Sequence, residues 1–121
     1  MDEIVAAGVI LHRPGLPDIK GLEAYKQMIA DIRNTYSDFN FTIDEFITER
    51  DKSALRWSAR GTHTGQSANL PIPPTGKKVT VTGLIMVRTV NEKAVEEWEY
   101  MDVLGLMQQL GVAPPMGPGG K

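Results

Sequence analysis

Glu96-Glu97-Trp98-Glu99-Tyr100-Met101-Asp102, running on into Val103-Leu104-Gly105-Leu106, is the stretch that decides how this chain is read. It predicts a strand that passes into a short amphipathic segment, with one carboxylate at the junction. Alternate residues of a strand share a face, so Glu96, Trp98, Tyr100 and Asp102 point the same way. Two aromatic rings beside an acid on one face would line an apolar pocket around a single general base. Such a pocket suits proton abstraction without a metal or a cofactor.

Outward from this stretch, the preceding segments also read as strands. Val79 to Val90 is a long strand, Asn91-Glu92-Lys93 its turn, and Ala94 to Asp102 the returning partner. Further back, Phe39-Asn40-Phe41-Thr42-Ile43 alternates apolar and polar, and the pattern continues irregularly through Phe46 and Ile47. Glu49 to Lys52 is a polar hairpin turn. Ala54 to His63 then returns with Leu55, Trp57 and Ala59 on one face and Arg56, Ser58 and Arg60 on the other. Gly61 and Gly65 flank His63 and mark a bend. Pro71-Ile72-Pro73-Pro74 places Gln66 to Lys77 in a surface loop or at an edge, because proline cannot donate to a central ladder.

Ahead of the strands, Lys20 to Tyr36 is the clearest helix. Leu22, Tyr25, Ile29, Ile32 and Tyr36 follow the three-and-four spacing of a buried stripe. Ile4 to Leu11 is an apolar run that ends at His12 and fits either a strand or a helix end. Arg13 to Asp18 reads as a turn-rich loop. After Asp102, Val103 to Leu110 forms one or two helical turns stopped by Gly111, and the Pro/Gly-rich tail 113–121 has nothing to bury. A helix followed by four consecutive antiparallel strands is an α+β domain: a meander sheet with a helix on one face, spanning 1–112. A strongly curved sheet with a helix across its mouth encloses a cavity.

Composition narrows the chemistry. The chain has 121 residues, 41% apolar and 23% charged, which is ordinary for one globular domain. A net charge of −2 with scattered basic residues argues against nucleic-acid or membrane-surface partners. With no cysteine there is no disulfide, thiolate zinc site or cysteine nucleophile, and two histidines are too few for a histidine metal cluster. The acidic start and the lack of a long apolar run lead us to expect a cytoplasmic protein.

The candidate site residues carry two readings each. Asp102 is either the pocket base or the N-cap of the segment that begins at Val103, and Asp is a favoured cap. His63 would bond a substrate carbonyl or shuttle protons, or else pin the bend through backbone bonds. His12 faces a pocket or solvent. Arg56 would bind a carboxylate or enolate oxygen if it faced inward, and would be a solvated sheet residue otherwise. Trp98, Tyr100 and Met86 serve as ligand platform or as core, two roles that merge in a cavity fold.

Gly61-Thr62-His63-Thr64-Gly65, Pro74-Thr75-Gly76-Lys77, Glu96-Glu97-Trp98 with Asp102, and Leu104-Gly105-Leu106-Met107-Gln108-Gln109-Leu110-Gly111 occur here in an order that resembles SnoaL-like proteins. These are the polyketide and ester cyclases of the nuclear transport factor 2-like superfamily. The resemblance spans Ile4 to Pro114. It implies a cone-shaped α+β barrel, a bent antiparallel sheet wrapped around helices. It implies cofactor-free acid/base catalysis of an intramolecular aldol condensation, with Asp102 at the position of the family's aspartate. Ketosteroid isomerase, which shares the superfamily fold, also uses an Asp base. The ligand implied is small and hydrophobic or aromatic, and a homodimer through the outer sheet face is expected. The resemblance also implies a further helix ahead of the segment matching Ile4 to His12, one that helps wall the pocket, and we expect this chain to lack it. The same scaffold also carries non-catalytic binding modules and epoxide hydrolase-like or isomerase-like enzymes, and these remain alternatives.

Overall fold

In the computed structural model, which describes residues 3–67 and 72–112, the chain opens as a hairpin. Strand β1 (Val5–Arg13) turns at Gly15, whose φ of 76° favours a residue without a side chain, and returns as β2 (Leu16–Lys20). The turn-rich reading of Arg13 to Asp18 missed β2. Pro17 is tolerated there because β2 lies at the sheet edge, in the order β2-β1-β6-β5-β4-β3. Helix α1 (Leu22–Thr35) follows, then strands β3 (Asn40–Glu49), β4 (Lys52–Thr62), β5 (Lys78–Val90) and β6 (Lys93–Met101), then helix α2 (Val103–Leu110).

Strands β3 to β6 form the expected antiparallel meander. The sheet as a whole is mixed, because β1 lies parallel to β6, with Leu11 opposite Glu97 and His12 opposite Trp98. This parallel pairing corrects the all-antiparallel expectation. It buries Val9 and Leu11 on a strand flanked by β2 and β6 and brings the start of the chain against its last strand. The tail 113–121 lies outside the described residues.

Cross-strand register sorts the faces. Phe41, Ala59 and Val81 lie in one row; Ile43, Trp57, Gly83 and Met101 in the next; Phe46, Leu55, Ile85 and Glu99 in a third. These rows make the concave inner face. Its buried centre is Trp57, Ala59, Val79 and Val81, closed from one end by Leu106 and Leu110 of α2. Burial of a side chain such as Leu110 is worth about 1.5–3 kcal/mol. Gln109 latches α2 to β5 by bonding both the N–H and the C=O of Thr80 at 2.8 Å. Gly111 ends the helix at φ 80°, and its N–H bonds the carbonyls of Gln108 and Met107.

Helix α1 packs against β1 and β2. Of its residues only Thr35 is fully buried. The apolar stripe read as core packing therefore serves a second purpose, as the wall of an open hollow.

Candidate active site

A cavity of about 360 Å³ lies between α1 and the inner sheet face. Tyr25, Ile29 and Ile32 form its helical wall, and Phe41, Trp57 and Ile85 line it from the sheet. Phe41 stacks on Trp57 with ring centroids 5.2 Å apart, giving a flat aromatic surface. The wall is incomplete: Ile43 and Phe46, on the same sheet face, are half or more exposed.

Among the described residues, one acid belongs to this lining, Glu99 on β6. Burial pushes its carboxyl above the ordinary range, the charge of Glu97 adds to the rise, and Arg13 opposes it. Glu97, two residues back on the same face, is buried. Burial raises its carboxyl as well, and the hydroxyl of Tyr25, which donates to it at 2.9 Å, pulls the other way. Tyr25 is itself on the lining. The same neighbourhood raises the Tyr25 hydroxyl far above its usual range, first through burial and then through the Glu97 charge. The site thus holds a weakly acidic carboxyl in an apolar wall, backed by a second buried acid tied to a phenol.

The structure brings none of the residues expected from sequence to this lining. Asp102 is exposed at the end of β6, and its Oδ1 accepts the N–H of Gly105 at 2.9 Å. It is the N-cap of α2, and the expected burial beside Trp98 and Tyr100 is not found, since Tyr100 is 61% exposed. Trp98, Tyr100 and Met86 share the outer face, where Met86 opposes Trp98. His12 is also on that face, stacked on Trp98 at 5.5 Å and bound by Glu96 at 2.6 Å and Asp18 at 3.2 Å. Arg56 is exposed there beside Asp44 and Glu45, so it is a sheet-surface residue. His63 is fully buried but behind the cavity. Its Nδ1 accepts the N–H of Thr75 at 3.2 Å and meets the Thr75 hydroxyl at 3.0 Å, and its Nε2 has no hydrogen-bond partner among the described residues. Its backbone bonds Lys77 and Gly76, so it pins the bend.

The profile of the SnoaL-like polyketide cyclase family matches residues 1–110. The chain belongs to this family. Among solved structures, IdmH of Streptomyces antibioticus, a candidate polyketide cyclase, is 28% identical, with a TM-score of 0.74 over 91% of this chain and 84% of that one. TsrD of Streptomyces laurentii is 26% identical, with a TM-score of 0.82 over 92% and 80%. A SnoaL-like protein of Jannaschia, at 19% identity and a TM-score of 0.81 over 93% and 76%, supports the fold alone. No curated protein matches.

In this SnoaL-like chain a single irregularity explains why the inner acids escaped the sequence reading. Asn91 and Glu92 both have positive φ and form a tight two-residue turn that pairs Val90 with Lys93 and Thr89 with Ala94. Regular counting would then set Val87 against Glu96 and Ile85 against Trp98. A shift after Thr89 instead pairs Arg88 with Glu96, so Val87 meets Glu97 and Ile85 meets Glu99. One extra residue on β6 exchanges its faces. Glu97, Glu99 and Met101 alternate as regularly as Glu96, Trp98, Tyr100 and Asp102 do, and no residue in the stretch announces the bulge.

Proposed function

We propose that this family member is a cofactor-free acid–base enzyme that closes a ring by intramolecular aldol condensation in a bulky apolar carbonyl compound, with Glu99 as the base. The observation that carries this reading is the position of Glu99: a carboxylate with raised basicity in the wall of a mostly apolar cavity. Ionised Glu99 takes a proton from the carbon beside a carbonyl. The enolate carbon bonds to a second carbonyl carbon of the same molecule, and the alkoxide formed takes the proton back from Glu99. An intramolecular reaction gains most from being held in a reactive pose, which the Phe41–Trp57 surface favours for a flat molecule. A carboxyl displaced towards neutrality is a stronger base than an exposed one.

The reaction's first half can be tested without the natural substrate. The protein incubated with 2-acetylanthracene in D₂O should exchange the methyl protons for deuterium, and Glu99→Gln should lose that exchange while binding the ketone. Tight binding without exchange in the native protein would instead favour a non-catalytic binding module.

The expected homodimer would use the outer face, where Ile47, Leu84, Met86 and Tyr100 are exposed. Arg56 and Arg88 share that face with Glu45 and Glu96, so it carries both charge signs that a self-complementary pairing uses. Sedimentation of Leu84→Glu, expected to be monomeric, tests the arrangement.

A further inference from the structure

Away from the cavity, the outer face of the sheet carries a chain of charged groups that crosses the neighbouring strands β5, β6, β1 and β2. Arg88 on β5 donates from Nη2 to Oε1 of Glu96 on β6 at 3.2 Å. The second oxygen of that carboxylate lies 2.6 Å from Nε2 of His12 on β1. On the other side of the ring, Nδ1 lies 3.2 Å from Oδ1 of Asp18 on β2. The ring plane stacks on Trp98, which fixes its direction along the sheet.

Both nitrogens of His12 therefore face a carboxylate oxygen. A neutral imidazole has one N–H and serves only one of them, so the arrangement suits the imidazolium, which donates on both sides. In that form cations and anions alternate from Arg88 to Asp18, and their charges cancel. Loss of the proton sets a bare ring nitrogen against a carboxylate and leaves one negative charge in excess. Lys20, opposite Ile10, is the other charged residue of β2 on this face. Arg13, Glu97 and Glu99, the nearest further charges on β1 and β6, belong to the inner face, and α1 lies on that side too.

The chain of charges crosses the sheet where the backbone ladder is least regular. The β1–β2 pairing shifts between Leu11 and Arg13, at His12 itself, and Pro17 beside Asp18 has no N–H to donate. The parallel β1–β6 pairing shifts between Val5 and Ile10. Side chains thus hold together what main-chain bonds hold incompletely.

We infer that Asp18, His12 and Glu96 form a proton-dependent clamp, which fastens the β1–β2 hairpin to β6 while His12 is an imidazolium and loosens when the ring becomes neutral. Glu96 and Asp18 both favour the charged ring, Glu96 most, with burial opposing. The clamp therefore acts fully below the ordinary histidine range and is lost as pH rises through the folded value. It does not depend on the chemistry proposed for Glu99, although Leu11, the next residue on the opposite face, lies beside Glu97.

Amide hydrogen exchange of the full chain, read by mass spectrometry at about pH 6 and about pH 9 and corrected for the intrinsic rate at each, tests this. Protection of β2 and of the end of β1 should fall about fivefold at the higher pH, while β4 and β5 keep theirs. In His12→Gln the hairpin should show the low protection at both pH values. Asp18→Asn should lower β2 protection at about pH 6 and remove most of its pH dependence, whereas Lys20→Gln should keep that dependence. Hairpin protection that does not change relative to β4 and β5, or that changes equally in His12→Gln, overturns the inference. His12 and Asp18 are each about one-third exposed, so both variants should fold, and circular dichroism checks this.

Discussion

Glu99 and Asp102 are three residues apart at the end of one strand, yet they serve different parts of the molecule. The Glu99 side chain enters the wall of the cavity, whereas Asp102 turns out to solvent and caps the helix that follows. On the proposed reading, the chemistry belongs to Glu99 and the capping to Asp102, the residue for which the sequence left both roles open.

That division predicts opposite phenotypes. Glu99→Gln should lower proton exchange by about 10²–10⁴-fold with little loss of stability. Asp102→Ala should keep exchange and cost about 1 kcal/mol of stability through the lost cap. Exchange assays and urea denaturation of both variants settle it; loss of exchange in Asp102→Ala with Glu99→Gln active would reverse the assignment.

Tyr25→Phe removes the hydroxyl that supports ionised Glu97. Burial already places the folded-state carboxyl above its unfolded value. A group shifted in that direction favours folding below the ordinary carboxyl range and loses that contribution as pH rises through the folded pKa. The variant should therefore be destabilised by about 1–3 kcal/mol at about pH 8 and by clearly less at about pH 5. Denaturation at the two pH values should show the difference, and an equal loss at both would contradict it.

Gly83 lies under the ring of Trp57, and a Cβ there would stand 2.5 Å from its Cζ2 and 2.5 Å from the carbonyl oxygen of Tyr100. Gly83→Ala should cost about 1–3 kcal/mol and push the indole into the cavity. Weaker binding of 2-acetylanthracene together with a lower denaturation midpoint is the expected result. Unchanged values for both would mean that the ring does not depend on this close approach.

On the outer face, Glu96 is the main cause of a raised His12 pKa, with Asp18 contributing and partial burial opposing. The imidazole should titrate above 6.5 by NMR, and Glu96→Gln should bring its midpoint down. The stabilising contribution is present below the ordinary histidine range and is lost as pH rises through the folded value. A midpoint indifferent to the substitution would show that the contact at 2.6 Å is not maintained in solution.

Much of the architecture was legible because two periods are written plainly. The helix expected over Lys20 to Tyr36 matches α1 to within two residues at its start and one at its end. Alternation places Leu55, Trp57 and Ala59 on one face of β4 and Arg56 on the other, as found. Strand β2 was hidden by Pro17 and Gly15, which signal a turn but are compatible with an edge hairpin. The parallel pairing of β1 with β6 joins segments far apart in the chain, and nothing local encodes it.

By itself, the sequence determined the helix, the meander, the cap at Asp102 as one of two readings, and the fact that Glu96, Trp98, Tyr100 and Asp102 share a face. Only the tertiary structure decided that this face is the outer one. A strand with acids and aromatics on both sides has two plausible insides, and a one-residue bulge on β6, together with the side on which α1 packs, selects between them.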